Sequence, residues 1–593
     1  MSPRPDRRSF IVRTASTVAS VAAVSGLAAC GSDGPAPAEF KYGVASGDPL
    51  ADRVILWTHA KAAGSDEAVT LTWQVATDAS FANVVANGTC VASTATGFTA
   101  KADATGLTAG TTYSYRFIDP SGGISPVGTT RTLPASAATS VKFAVFSCSL
   151  YPAGYFNAYD AASKSDAQFA IHLGDYIYEY GSDPTQFGNA EAAALGRVTT
   201  PATEIVSLAD YRTRYAQYRS DANLQALHAR MPMIAVWDDH EFTNNAWTGG
   251  AQNHTTATEG DWTARKNIAA QVWHEWLPTR PDAGGNLLKI YRRFDFGSLL
   301  TLHMLDTRIE GRDRQYDDFG DADGGVARYA TALATGADAT RRMISVTQQA
   351  WLIDGITRSS ATWQVLGNQD IMARMWFPAS VLQAQGAALA SPTAQNQAAV
   401  SAAISAYLGA KAVRASAGAG ALSPSQAALL NPTTNPRLPY NLDAWDGYPS
   451  NREAILQSVK AAGRRLVTLS GDSHNGWFTN LTTLTGEKIG VEFAGASVTS
   501  PGFESVGLGG LAGSLDGSAL SAQLGTAAIG AGLGLVDDLN YVDTVRRGYL
   551  LFTVTAASVR GEYVYVDTIK SRTYTTTIGR TITVTAAGAV SYA

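Results

Sequence analysis

An α/β body behind a small all-β leader is the fold class this sequence predicts, and three features of its texture predict it. Between Phe40 and Leu133, short alternating apolar runs are divided by Gly- and Asn-containing turns at about ten-residue spacing, the pattern of half-buried antiparallel strands. After a Pro/Ala/Ser stretch at 134–139 the runs become continuously apolar, as strands covered on both faces require. Helical stretches stand between those runs, and that alternation builds a layered core.

In chain order, the first element is a processing segment. Residues 7–13 read Arg-Arg-Ser-Phe-Ile-Val-Arg, and an uncharged Ala/Val/Ser-rich run follows from Thr14 to Ala29. Twin arginines before a mild apolar region mark a Tat export signal. The run is too short and too weakly apolar to span a bilayer. It ends Leu27-Ala28-Ala29-Cys30-Gly31, which looks like a lipoprotein cleavage box with Cys30 as the lipidated residue. Residues 1–30 are read as the signal peptide and 31–39 as a tether. The Tat machinery is then a partner, and the destination is the periplasm or cell surface, with a lipid anchor at Cys30. Because Tat carries folded proteins, this leader also suggests a cofactor inserted before export.

The leader domain over 40–134 follows, with strands expected at Arg53–Trp57, Val69–Val75 and Thr112–Phe117. Its Gly-Leu-Thr-Ala-Gly-Thr-Thr-Tyr stretch at 106–113 has the look of a fibronectin-like sandwich, which favours a structural module. The body, 140–593, carries expected buried strands at Phe143–Phe146, Phe169–Ile171, Ile234–Trp237, Leu299–Leu302, Gln364–Leu366 and Leu466–Leu469. Helices are expected over Arg341–Thr357 and Asn451–Ala462. An Ala-rich stretch at about 378–430 reads as a helical or loop insertion. Gly507-Leu-Gly509-Gly-Leu-Ala512 has a dinucleotide-like spacing but no buried strand before it, so 505–534 reads as a Gly-rich loop. Strand patterns return at 546–568 and 573–586.

Composition narrows the function classes. The chain has 593 residues, a net charge of −5 and only 16% charged residues, which excludes disordered and coiled-coil proteins. No Lys/Arg cluster appears in the body, so specific nucleic-acid recognition is not expected. Three cysteines, Cys30, Cys90 and Cys148, cannot make a disulfide framework. A monomeric, enzyme-sized protein is expected.

The strand ends carry the chemistry, as ligand-binding groups do in open α/β sheets. Strand after strand runs into polar residues: Ser147-Cys148-Ser149, Gly174-Asp175-Tyr176-Ile177-Tyr178-Glu179, Asp238-Asp239-His240-Glu241 with Asn244 and Asn245, Asp306-Thr307-Arg308, Gly367-Asn368-Gln369, and Gly471-Asp472-Ser473-His474. One such residue is ordinarily a helix cap or a core cysteine; six groups together fit a two-metal hydrolase. Two cations about 3.5–4 Å apart need a bridging carboxylate and ligands from separate strands. Asp175 is the natural bridge. Tyr178 offers a phenolate suited to Fe(III), Cys148 a thiolate, and Asp472 and His474, one residue apart, can face one site.

Gly-Asp-x-x-Tyr at 174–178, Trp-Asp-Asp-His-Glu at 237–241, Leu-Asp-Thr-Arg at 305–308, Leu-Gly-Asn-Gln at 366–369 and Ser-Gly-Asp-x-His at 470–474 resemble the PhoD-type alkaline phosphatase/phosphodiesterase family. Phe40-Lys-Tyr-Gly-Val-Ala-Ser-Gly-Asp-Pro49 with Val54-Ile-Leu-Trp57 resembles that family's N-terminal β domain. The resemblance implies a layered metallophosphoesterase-like β-sandwich flanked by helices, holding Fe(III) and calcium. Carried over by motif, Cys148, Asp175, Tyr178 and His474 would hold Fe(III). Asp175 would reach calcium as well, joined by Asp472 and a ligand from Asp239, Asn244 and Asn245, with Asp239 and Asn245 put forward. The Ala-rich stretch has no counterpart in the family pattern.

The implied activity is hydrolysis of phosphomonoesters, phosphodiesters or both by a metal-activated hydroxide or oxo nucleophile. Phosphate-ester small molecules and phosphodiester polymers are the candidate substrates. His240 is the candidate to protonate the leaving oxygen or bind phosphate, and Arg308, with Asp306 beside it, the fork for phosphate oxygens. A phospholipase D-like action on lipid or wall polymers is the neighbouring alternative. Two readings come from other classes: a serine esterase built on Gly471-Asp472-Ser473, which lacks the expected placement, and a non-catalytic, surface-anchored binding protein.

Overall fold

Continuous apolar runs and alternating ones sort into two large sheets that face each other. The computed structural model describes residues 36–136, 138–316, 329, 337–506, 509–525 and 532–593. The Tat signal, the cleavage box at Cys30 and tether residues 31–35 lie outside the described residues. Among the described residues, no helix is long and apolar enough to cross a membrane.

The leader supplies β1 (Val44–Gly47), β2 (Arg53–His59), β3 (Val69–Ala76), β4 (Val84–Ala92), β5 (Thr99–Thr105), β6 (Thr112–Ile118) and β7 (Gly128–Arg131). Strands β4-β3-β6-β7 form one antiparallel sheet. Its inner face, Leu71, Trp73, Val75, Tyr115 and Phe117, packs on Val54, Leu56, Ala100 and Ala102 of β2 and β5. The all-β expectation holds, with one difference in the second layer. Strands β1, β2 and β5 are not a closed sheet of their own: β1 pairs in parallel with body strand β10 (Met233–Ala235) at Met233↔Gly47. One sheet therefore runs through leader and body.

In the body, β8 (Ser140–Phe146), β9 (Phe169–His172) and β10 are parallel neighbours. Strands β18 (Arg547–Thr555), β19 (Ser558–Val566), β20 (Thr576–Thr585) and β21 (Val590–Tyr592) extend that sheet beyond β8, giving the ten-stranded order β21-β20-β19-β18-β8-β9-β10-β1-β2-β5. The facing sheet is β11 (Arg292–Phe296), β12 (Leu300–Met304), β13 (Trp363–Gly367), β14 (Leu466–Ser470), β16 (Lys488–Ala494), β15 (Gly476–Thr482) and β17 (Leu539–Asp543), in that order. Strands β12, β13 and β14 are buried at every position, which is why their sequences show no alternation. Their side chains still alternate in destination. Val365 and Val467 enter the core between the sheets; Leu366 and Leu466 pack beneath helices on the outer face.

Those helices include α3 (Val346–Arg358) and α7 (Pro449–Ala461), while α1 (Leu208–Arg219) and α2 (Trp262–Trp276) cover the other sheet. The Ala-rich stretch is helical: α4 (Ala379–Ala390), α5 (Ala394–Ala417) and α6 (Pro424–Leu430). Ile404 and Tyr407 of α5 join the outer core. The described part of 505–534 consists of short helical turns rather than plain loop. Cys90 and Cys148 are both free and buried.

Asp48 fastens the leader to the body. It accepts from Arg292 Nε and Nη2 at 2.9 and 2.6 Å and from the Arg280 amide at 2.7 Å, and its side chain is 2% exposed. Removing one partner of a buried pair strands the other, so Asp48→Ala should cost about 3 kcal/mol, read as a lower urea midpoint. An unchanged midpoint would show that this bridge does not hold the seam.

Candidate metal centre

Six loops leave the carboxyl ends of parallel strands in the two sheets and converge. Strand β8 runs into Cys148, β9 into Asp175, β10 into Asp238–Glu241, β12 into Asp306 and Arg308, β13 into Asn368 and Asp370, and β14 into Asp472 and His474. The turns are tied together by backbone. The amides of Cys148 and Ser149 donate to the carbonyls of Gly174 and Asp175 at 3.1 and 2.9 Å. Buried Glu241 accepts the amides of Asp175, Tyr176 and Asp238 at 2.9, 2.7 and 2.8 Å. Gly174 has φ of +109°, and a Cβ there would lie 2.3 Å from Asp238 Cβ; only glycine lets these two turns meet.

Several of the expected ligands come together. Cys148, Asp175 and His474 present ligand atoms within 4.8 Å of one another. The Tyr178 hydroxyl joins them, donating to Asp175 Oδ2 at 2.9 Å and lying 3.4 Å from His474 Nε2. Asp175 also groups with Asp239 and His240, and Asp239 with Asp238 and Asp472, so Asp175 stands between two clusters. Asp370, Asp443 and Asp472 form a further group. The Asn245 amide donates to Asp239 Oδ2 at 2.6 Å, and its carboxamide donates to Gln252. The Asn244 amide serves Glu179 instead, at 2.8 Å.

The electrostatics call for cations. Burial pushes Asp175, Asp238 and Asp472 well above the usual carboxylate range, and neighbouring carboxylates push the same way. Burial would also raise Asp239, but Arg308 and His240 hold it below the ordinary value. Asp175 Oδ1 is buried without a hydrogen-bond partner, and Asp239 Oδ1 has only the Arg308 guanidinium 3.8 Å away. Buried oxygens of this kind could be satisfied by a metal ion.

His474 has a ring nitrogen free for a ligand role. Its Nδ1 lies 2.6 Å from the Pro501 carbonyl, which can only accept, so Nδ1 carries the hydrogen and Nε2 keeps its lone pair. Burial drives its pKa down to about 3, leaving the ring neutral. Burial also raises the Cys148 thiol and the Tyr178 phenol; a bound cation would favour loss of both protons. The thiol, phenol, imidazole and carboxylate set fits iron, and the carboxylates with an amide fit calcium.

His240 is fully built in. Its Nδ1 lies 2.6 Å from Glu179 Oε2, and its ring sits 4.2 Å from that of Tyr178. Burial alone would push it down, but Asp239, Glu179 and Asp175 outweigh burial and hold it well above the ordinary histidine value. Arg308 and Asp306, the other two candidates for catalytic roles, both contact the protein's own groups. Arg308, expected to grip phosphate, is completely buried and committed to carboxylates: Nε to Asp238, Nη1 to Asp443 at 2.6 Å, and Nη2 to Asp370 and Asp472 at 2.9 and 3.0 Å. So many converging acids need a fixed counter-charge. Asp306, expected to be catalytic, gives Oδ1 to its own turn, accepting the amides of Arg308 and Ile309 at 3.0 and 2.8 Å, while Oδ2 is buried without a hydrogen-bond partner. Ser473 accepts from Trp477 Nε1 at 2.7 Å, an arrangement without the histidine a serine nucleophile needs.

Several contributors were not singled out from the sequence. Asp238 and Glu241 lie inside the Trp-Asp-Asp-His-Glu motif, Glu179 one residue past Tyr178, and Asp370 one residue past Gln369, so motif proximity could have found them. Asp443 and Ser500, whose hydroxyl lies 2.7 Å from that of Tyr178, carry no local signal.

Residues 143–563 match the model of the family described as PhoD-like phosphatase, and residues 26–134 that of the PhoD-like phosphatase N-terminal domain. Alkaline phosphatase D of Bacillus subtilis (strain 168) is 33% identical over 479 residues, spanning 78% of this chain and 70% of that protein. A solved structure of PhoD superposes with a TM-score of 0.70 at 27% identity, covering 94% of this chain and 92% of the other.

Proposed function

The chain belongs to the PhoD-like phosphatase family and is a phosphoric ester hydrolase, and on that premise we propose that it is a metal-dependent enzyme that works outside the cytoplasm on phosphomonoesters, phosphodiesters or both. Tat export, and lipid attachment through Cys30, are part of the same proposal, as is action as a monomer with an all-β leader over 40–134 and a catalytic body over 140–593. Cys148, Asp175, Tyr178 and His474 would hold Fe(III), and Asp175, Asp239, Asn245 and Asp472 would hold calcium. Bound there, the metals would supply positive charge to the phosphoryl oxygens and activate the attacking water.

The backbone carries this reading. Eight non-glycine residues among those described have positive φ, and five of them are candidate ligands: Cys148 at 61°, Asp175 at 55°, Asn245 at 53°, Asp472 at 57° and His474 at 61°. Left-handed conformations cost on the order of 1–3 kcal/mol each and persist where function holds them. Five residues bent this way, on four loops, support a centre assembled from separate loops.

The protein's own groups have distinct tasks. Glu179 fixes His240 through Nδ1, so Nε2 is the atom that can deliver a proton to the leaving oxygen. Arg308 braces the acids, and Glu241 fixes the turns that carry Asp175 and Asp238. The direct test is hydrolysis of a chromogenic phosphodiester and its monoester before and after chelation. Activity should vanish with chelator and return with calcium, and the ratio of the two rates names the preferred ester. Full activity in protein stripped of metal would overturn the metal-dependent reading.

A further inference from the structure

An exposed phenyl ring borders the metal centre. Phe187 is 38% exposed, and its ring lies 5.8 Å from that of His474 with the planes 23° apart. It is stacked on the face of a candidate ligand. A single exposed apolar side chain is ordinary on a protein surface; the position and mounting of this one are not. The centre meets solvent at Asp472, whose side chain is 22% exposed, and at half-buried His474, the residue Phe187 covers.

The loop presenting Phe187 is held rigidly. Asp183 Oδ1 accepts from the amide and hydroxyl of Thr185, both at 2.8 Å. Asn189, 2% exposed, closes the loop by donating to the carbonyls of Gly181 and Asp183 at 2.9 and 2.8 Å. Gly188, with φ of +73°, presses on Leu150: a Cβ there would fall 2.2 Å from Leu150 Cδ2. Leu150 in turn packs with Ala153 and Tyr178. The loop therefore rests on Leu150, which packs against the Tyr178 side chain that carries the candidate phenolate.

We infer that Phe187 is a specificity-determining residue, a wall of the leaving-group subsite that favours phosphate esters whose alcohol carries a planar ring over those of compact aliphatic alcohols. The inference rests on the phosphoesterase reading above. A ring on the departing alcohol can lie against the phenyl face in an offset stack, whereas a glycerol unit leaves that face in water. Aryl alcohols and nucleosides both supply such a ring.

The test compares Phe187→Ala with wild type on three diesters: bis(p-nitrophenyl) phosphate, a dinucleoside monophosphate, and glycerophosphoglycerol. Variant-to-wild-type ratios cancel the esters' different intrinsic reactivities. Phe187→Ala should lose about tenfold in kcat/KM, mostly through KM, on the ring-bearing esters and less than about twofold on the glycerol ester, the scale of one aromatic stack. Phe187→Tyr should restore the ring-specific part, and Phe187→Leu should not. A loss on only one ring class supports the inference and names the source. Equal losses on all three esters, or none on any, overturn it, with Phe187→Leu deciding should the alanine variant fail to fold. Wild-type protein inactive on every ester would overturn the hydrolase reading itself, and this inference with it.

Discussion

Asp175→Asn is expected to lower kcat by about 10⁴-fold, roughly 5 kcal/mol of barrier at 1.36 kcal/mol per decade, while leaving the fold intact. Both halves follow from the same contacts. The side chain sits where two ligand clusters meet, and Oδ1 has no hydrogen-bond partner, so its negative charge has no structural use without a cation. Asparagine has nearly the same volume, tolerates the left-handed backbone that Asp175 adopts at φ 55°, and can still accept from the Tyr178 hydroxyl. The Asp175 amide remains bound to Glu241. What the substitution removes is charge, and with it the bridge between sites. Metal content by plasma emission should fall alongside kcat, with the thermal midpoint near wild type. A variant that turns over normally would remove Asp175 from the centre.

The strand-end pattern makes most of the candidate centre legible in the sequence. A parallel strand buried on both faces is mostly apolar, so the polar run that follows Phe146, Leu173, Trp237 or Ser470 marks a loop at a sheet's carboxyl edge. Cys148, Asp175, Asp239, Asp472 and His474 all lie in such runs, and the fold brings them into neighbouring clusters. What the pattern could not show was the division of labour among acids. Whether Arg308 faces substrate or carboxylates depends on the approach of the loops carrying Asp370 and Asp443, and the latter arrives from beyond the helical insertion. The leader's second layer was illegible for a similar reason. Pairing of Gly47 with Met233 joins residues far apart in the chain, and no local pattern in either strand encodes a partner. Asp306, inside a recognisable motif, divides its carboxylate: Oδ1 serves its own turn and Oδ2 does not.

Arg308 separates a binding role from a bracing one, and Arg308→Lys is the informative change. Its guanidinium contacts Asp238, Asp370, Asp443 and Asp472 and is itself completely buried. Four acids from four loops meet on one planar fork, a task that a lysine ammonium, a single point on a flexible stem, cannot perform. Several of those carboxylates would then be buried beside like charges, and stability should fall by about 3–5 kcal/mol, visible as a lower urea midpoint. Metal affinity should fall with it, because the loops bearing Asp238 and Asp472 lose their common brace. Added calcium should recover part of the lost midpoint, since a cation bound only by the folded state stabilises it by mass action and places positive charge among the same acids. Inorganic phosphate should recover nothing. A phosphate-gripping arginine predicts the opposite set: unchanged midpoint, unchanged metal content and a raised KM. The two roles thus diverge in three measurements on one variant, and the packing of the guanidinium among carboxylates favours the first.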